Sequence, residues 1–179
     1  MKSPASALPA LAIEPLSQAA FARFGDVIEA AAASATVAIN DATAVRYPAL
    51  ATVDCQAEGG TAMISRCRAA ARVLPFDIRL LERHPLGSQA FIPLRPLAYL
   101  VVVAKDPGSP PRAFLATAGQ GVNFHRGTWH HPLLALEPAS EFLIIDRVGP
   151  GDNCETVALD QCYQIARLDV ASVRRSRRQ

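Results

Sequence analysis

The sequence predicts a small, mainly β protein, a sandwich or barrel of antiparallel strands with one short helix near the N-terminus. Three observations support this. Short apolar segments follow one another at close spacing, Gly, Pro and Asp turn signals separate them, and the intervening helices that a parallel sheet requires are missing. The 179 residues, half of them apolar, suffice for one sizeable core, and no internal repeat or linker divides them. The expected organisation is a flexible N-terminus over 1–12, a single domain over 13–168 and a basic, disordered tail over 169–179.

The helix comes first. Ser17 offers a capping hydroxyl, QAAFARF (18 to 24) fills the helix, and Gly25 supplies the backbone freedom of a C-terminal cap. Strands follow in the order DVIEA, ALATVDC, TAMISR, FDIRLLERH, QAFIPL, LAYLVVV, GVNFHR, WHHPLLAL, FLIIDR and CETVAL. LAYLVVV (97 to 103) is a continuous apolar run rich in β-branched residues, as expected of a strand covered on both faces. FLIIDR (142 to 147) is similar until it ends in two charges; alternation turns Asp146 inward with Phe142 and Ile144, and Arg147 outward.

Composition excludes several classes of function. The formal charge is +2, but Arg174, Arg175, Arg177 and Arg178 crowd the last six positions and leave a slightly acidic body. With aromatics at only 6%, this is not the spread of basic and stacking residues that a nucleic-acid surface needs. No apolar run approaches the roughly 18 residues of a membrane span, and prolines interrupt the segment where a signal peptide would be apolar. A cytoplasmic protein is expected. Cys55, Cys67, Cys154 and Cys162 form no CxxC pair and are expected to be reduced thiols, mostly buried.

All four histidines fall in two short segments, His84 in ERHPLGSQAFIPL (82 to 94) and His125, His130 and His131 in GQGVNFHRGTWHHPLLAL (119 to 136). Strand alternation puts Phe76, Ile78, Leu80, Glu82 and His84 on one face, with Asp77, Arg79 and Arg83 on the other. The apolar face therefore ends in a carboxylate and an imidazole. In the second segment His130 shares a face with Pro132 and Leu134, and His131 lies opposite with Trp129 and Leu133. Buried groups of this kind must be paired, hydrogen-bonded or metal-bound, so the alternatives are a structural His-Glu pair and a site. Trp129 and Tyr99 read as core or interface residues, and His131 as packed under a loop or at an interface.

These spacings resemble the cupin superfamily, small antiparallel β-barrels of jelly-roll type whose motifs read H-x-H-x(3,4)-E and P-x-G-x-x-H. Glu82, His84 and Gln89 fall on the first motif, with Glu82 in place of a histidine and Gln89 in place of the glutamate. On the second, His125 replaces the proline, Gly127 matches, and His130 stands at the ligand histidine. The resemblance implies metal-ligand positions at His84, His130, Glu82 and Gln89, which suit one divalent ion, nickel or manganese before others. A metal-free site built on the same residues is the alternative.

A closer resemblance covers about residues 13 to 159. ERHPLGSQAFIPL, GVNFHRGTWHHPLLAL, FLIIDR and GDNCE, with LSQAAFARFGDVIE and INDATAVRY near the start, are similar to the ureidoglycolate lyase family. That resemblance implies cleavage of (S)-ureidoglycolate to glyoxylate and urea in allantoin degradation. It implies catalytic roles for His130, Glu82 and a proton-carrying His125. Arg46, with Asn40, Gln89 and Asp146, is the expected substrate contact, because a guanidinium grips a carboxylate through two parallel hydrogen bonds. Arg83 and Arg147 are weaker candidates, since alternation turns them away. The alternatives are an amidohydrolase that releases ammonia and a non-catalytic cupin that binds a small carboxylate. A homodimer is expected, since small barrels with exposed strand edges commonly pair.

Overall fold

A computed structural model of the chain describes residues 7–168. The first elements are β1 (Ile13–Pro15), the one-turn helix α1 (Gln18–Phe21), β2 (Gly25–Ile28), and the short strands β3 (Val37–Ile39) and β4 (Ala44–Arg46). Then come β5 (Thr61–Ala69), β6 (Phe76–Arg83), β7 (Gln89–Pro93), β8 (Tyr99–Ala104), β9 (Arg112–Ala116) and β10 (Gly121–Phe124). The last described strands are β11 (Trp129–His130), β12 (Leu134–Ala135), β13 (Ser140–Val148) and β14 (Glu155–Ile165). The basic tail, residues 169–179, and residues 1–6 lie outside the described part.

The strands form two facing sheets, as a cupin-like barrel requires. The larger runs β1-β9-β8-β11-β6-β14, with β12 also beside β8, and the smaller runs β2-β10-β7-β13-β5. A separate hairpin joins β3 to β4. Pairing within the sheets is antiparallel apart from β1 on β9. Between the sheets lies an aromatic core in which Val101, Val103, Tyr99 and Phe114 of the larger sheet meet Val27, Phe91, Phe124 and Phe142 of the smaller. Phe142 sits edge-on to Tyr99, with ring centroids 5.1 Å apart.

β8 is buried at every position, as its unbroken apolar run predicts. Its odd-numbered residues face the aromatic core, while Leu100, Val102 and Ala104 join a second cluster with Ala113, Leu115, Leu134 and Leu159. The N-terminal segment helps to enclose that cluster. Ala10 bridges Gln164 of β14, and Ile13–Pro15 pairs with β9, so one stretch of chain ties together the two ends of the larger sheet. Residues 9–12, expected to be flexible, are therefore held: Leu11 N–H donates to the Gln164 carbonyl at 2.9 Å, and Gln164 N–H donates to the Pro9 carbonyl at 2.9 Å.

Several local expectations need correction. Ser17 caps α1 by accepting from Ala20 N–H, but the helix stops after one turn and Ala22 is its C-cap. Gly25 opens β2 instead, and its missing side chain has a different reason: a Cβ there would lie 2.0 Å from the Asn123 carbonyl oxygen across the β2/β10 pair. ALATVDC is not a strand. It crosses outside the smaller sheet, where Asp54 N–H donates to Ser88 Oγ at 2.9 Å and the Thr52 carbonyl accepts from Asn123 Nδ2 at 3.2 Å. WHHPLLAL splits into β11 and β12 around Pro132, which has no N–H to offer a ladder.

In β6 strict alternation fails, since Ile78 and Leu81, three residues apart, are both fully buried in the second cluster. The irregularity accompanies a register break in its partner, where Ala158 opposes Leu80 but Tyr163 opposes Ile78. The stretch that carries Glu82 is regular. Among the described residues, no helix is long and apolar enough to cross a membrane.

Candidate active site

The larger sheet contributes the first wall. Glu82 of β6 and His130 of β11 are directly paired residues, so their side chains leave the sheet on the same face. His84 follows just beyond the end of β6. One ligand-capable atom from each of Glu82, His84 and His130 lies within 4.8 Å of the other two. His130 is 1% exposed, and its ring stacks on Phe124 with centroids 4.1 Å apart and planes 10° from parallel.

Both imidazoles are oriented in the same way. His84 Nδ1 lies 2.7 Å from the Asn153 carbonyl, and His130 Nδ1 lies 2.9 Å from the Thr128 carbonyl. A carbonyl oxygen only accepts, so each Nδ1 carries a hydrogen and each Nε2 is the ring nitrogen left to face the hollow. Those two Nε2 atoms are buried without a hydrogen-bond partner. His130 Nε2 comes within 3.5 Å of Glu82 Oε1 without a well-made hydrogen bond. The imidazole of His130 nevertheless holds the Glu82 carboxyl below the usual carboxylate range, against the opposing pull of burial.

The smaller sheet contributes Gln89, at the start of β7, and Asp146, on β13. Gln89 Oε1 and Asp146 Oδ1 are also buried and unpartnered. Burial pushes the Asp146 carboxyl up, while the amide of Gln89 and the charge of His84 pull it down less strongly. Of the five described side chains with an orphaned buried polar atom, four belong to this cluster. Buried polar groups in native proteins are nearly always satisfied, so this concentration marks a place built to receive something.

The donor set fits a divalent ion. Two imidazoles, each with its far nitrogen fixed by a backbone carbonyl, and a carboxylate are the ligands and outer supports that such ions use. His84, His130 and Glu82 would hold it, with Gln89 and Asp146 on the facing wall.

Other expected site residues lie elsewhere. His125 is half exposed, sits 3.3 Å from Asp26, and lines a separate hollow of about 390 Å³ with Asp54, Ser88 and Arg126. The left-handed turn at Gly127, whose N–H donates to the His84 carbonyl, carries the chain from His125 to His130. His131 packs its ring edge-on to Phe76, 5.6 Å away, and burial pushes its pKa down. Arg83 pairs with Glu155 and covers Trp129, while Arg147 is buried and donates to the carbonyls of Ala57 and Pro150. Asn40 and Arg46 are exposed on the β3–β4 hairpin. Sequence reasoning missed Asn153, whose only sequence signal is the GDN turn between two strands.

A two-sheet β scaffold with a largely buried His-His-Glu donor set between its sheets is the class of protein that can hold an ion and a small molecule in its interior. The comparisons narrow it. The model of the ureidoglycolate lyase family matches residues 8–166, further at both ends than the motifs alone suggested. The chain is 48% identical to ureidoglycolate lyase 1 of Rhizobium meliloti strain 1021, over 87% of this chain and 92% of that one. It is 48% identical to ureidoglycolate lyase of Brucella melitensis biotype 2, over 90% and 97%. It is 49% identical to ureidoglycolate lyase of Burkholderia mallei strain NCTC 10229, over 80% and 85%. A solved structure of Bacillus subtilis oxalate decarboxylase, described for its Mn(II) centres, overlaps 56% of this chain and 24% of its own, with a TM-score of 0.32 and 17% identity. The chain belongs to the ureidoglycolate lyase family.

Proposed function

We propose that this protein cleaves (S)-ureidoglycolate to glyoxylate and urea, a step of allantoin breakdown, at the Glu82/His84/His130 cluster. The carrying observation is the convergence of four buried, unpartnered polar atoms, from His84, Gln89, His130 and Asp146, in a chain of this family.

The chemistry asks for little beyond proton management. Ureidoglycolate is a carbinolamide: its hydroxyl gives up a proton as the carbon-nitrogen bond breaks, the bonding pair goes to nitrogen, and that nitrogen takes up a proton as urea departs. Protons balance without a co-reactant. Bound by His84, His130 and Glu82, a divalent ion would supply Lewis acidity that lowers the pKa of the substrate hydroxyl.

The remaining work falls to the facing wall. Asp146, pushed toward its protonated form by burial, delivers the proton to the leaving nitrogen, and Gln89 beside it orients that carboxyl. Glu82, kept ionised under the influence of His130, takes the proton that the hydroxyl gives up, so two carboxyl groups in one hollow begin the step in opposite protonation states. The test is product analysis on purified protein, before and after chelation and readdition of single divalent ions, nickel and manganese first. Urea and glyoxylate in equal amounts, lost on stripping and restored by one ion, support the reading. Ammonia as the first nitrogen product replaces it with hydrolysis.

A further inference from the structure

We propose that the β3–β4 hairpin is an arm received by a second copy of this chain, and that it carries Arg46 and Asn40 to the mouth of that copy's site. This rests on the cluster being the substrate site, and three observations lead to it.

The first is the isolation of the hairpin. Three residues pair with three, and neither strand pairs with any other described strand. A lone two-stranded hairpin is marginal in water. Val37 and Ile39 point to one face, at 46% and 38% exposure, and Val45 to the other, at 55%, with Tyr47 just beyond at 44%. A hairpin lying on its own chain would hide one face, whereas apolar residues open on both faces suit an arm enclosed by a partner.

The second observation is charge. A substrate carboxylate calls for a cationic side chain, and no arginine or lysine is among the described groups that act on the carboxyls of Glu82 and Asp146. The arginines next to it in sequence are committed elsewhere: Arg83 to Glu155, Arg126 to Asp54, and Arg147 to backbone carbonyls. Arg46 forms no ion pair among the described residues. An unpartnered guanidinium is free to grip the carboxylate of a substrate bound at that site.

The third is a matching apolar surface on the same chain. β5 is an edge strand, with Met63 and Ile64 exposed at 39% and 69%, and Val148 lies across from its first residue at 47%. In a two-fold dimer each copy offers both the arm and the surface that receives it.

The experiment is complementation between two damaged chains. His130→Ala removes the site and Arg46→Gln removes the cation of the arm. The R46Q homodimer should show a roughly ten- to hundredfold loss of kcat/KM for ureidoglycolate. Co-expression of the two variants under different affinity tags, with purification over both, isolates mixed dimers. An arm acting across the dimer leaves one complete site in each, so about half the wild-type turnover returns. Turnover no higher than that of the two variant homodimers overturns the proposal, as does a wild-type rate in R46Q or a monomeric mass by light scattering. Matching thermal unfolding of mixed and wild-type dimers guards against misfolding, and Asn40→Ala in place of Arg46→Gln should reproduce the pattern. Wild-type protein that releases no urea overturns the substrate reading itself, a result separable from failed complementation.

Discussion

His130 and His84 both present an unpartnered Nε2 to the same hollow, but the molecule holds them by different means. His130 is part of a strand, paired across the ladder with Glu82 and stacked on Phe124 from the facing sheet. His84 stands past the end of its strand, where the Asn153 carbonyl sets its ring, while the side chain of Asn153 accepts from Leu86 N–H at 2.8 Å. Sheet pairing fixes direction through the backbone, at no cost in special residues. A loop must do the same through individually placed hydrogen bonds, and these are easier to remove without harming the core.

The contrast is open to direct attack. His130→Ala should lower urea release by roughly a thousandfold or more, since it removes a reacting-site group that no neighbour replaces; an unchanged rate places the chemistry elsewhere. Phe124→Ala should cost about 3–5 kcal/mol of stability in a denaturant titration, because a fully packed ring is lost from between the sheets. It should also lower turnover, as His130 loses its platform. Asn153→Ala should behave in the opposite way: it keeps the carbonyl that holds the His84 ring but removes the side-chain acceptor of Leu86 N–H that pins the turn, so divalent-ion affinity by calorimetry should fall by less than the roughly tenfold that loss of the carbonyl itself would cost, with the unfolding midpoint almost unmoved. An equal loss of stability in the Asn153 and Phe124 variants would erase the distinction between loop and strand.

The smallest effect concerns His131. Burial favours its neutral form, so its folded pKa lies below the ordinary value of 6.5. The unfolded chain binds the proton more readily, and stability should therefore decline as pH falls below about 6.5, levelling off once the folded pKa is passed. His131→Gln should flatten that decline in melts between pH 7 and 5 while leaving turnover nearly intact; an unaltered slope would assign the acid sensitivity to other groups.

Much of this was legible because it depends on local pattern. The apolar run of β8 and the inward turn of Asp146 are local patterns of this kind. Alternation alone misleads for the site strands: it groups Glu82 with Ile78 and His130 with Leu134, whereas Ile78 and Leu134 face the second cluster and Glu82 meets His130 through cross-strand pairing. Other features depend on partners far away in the chain. The register break in β14 that brings Ile78 and Leu81 into one cluster has no local mark, and Gly25 mimics a helix cap while serving a close strand approach. β9, behind two prolines and rich in alanine, offers too weak a β signal to stand out. The place of His125 outside the cluster is set by the turn at Gly127, which motif spacing does not encode. Asn153 acts through its backbone carbonyl, a group that every residue possesses.

The tie between residues 10 and 164 bears on how the chain is made as well as how it stands. A ribosome releases Ala10 long before Gln164, so the larger sheet has an open side until β14 emerges. Contacts at such sequence separation are slow to form, because the loop must close before any pairing rewards it. Exposure to edge-to-edge aggregation is therefore greatest in nascent chains that stop short of β14.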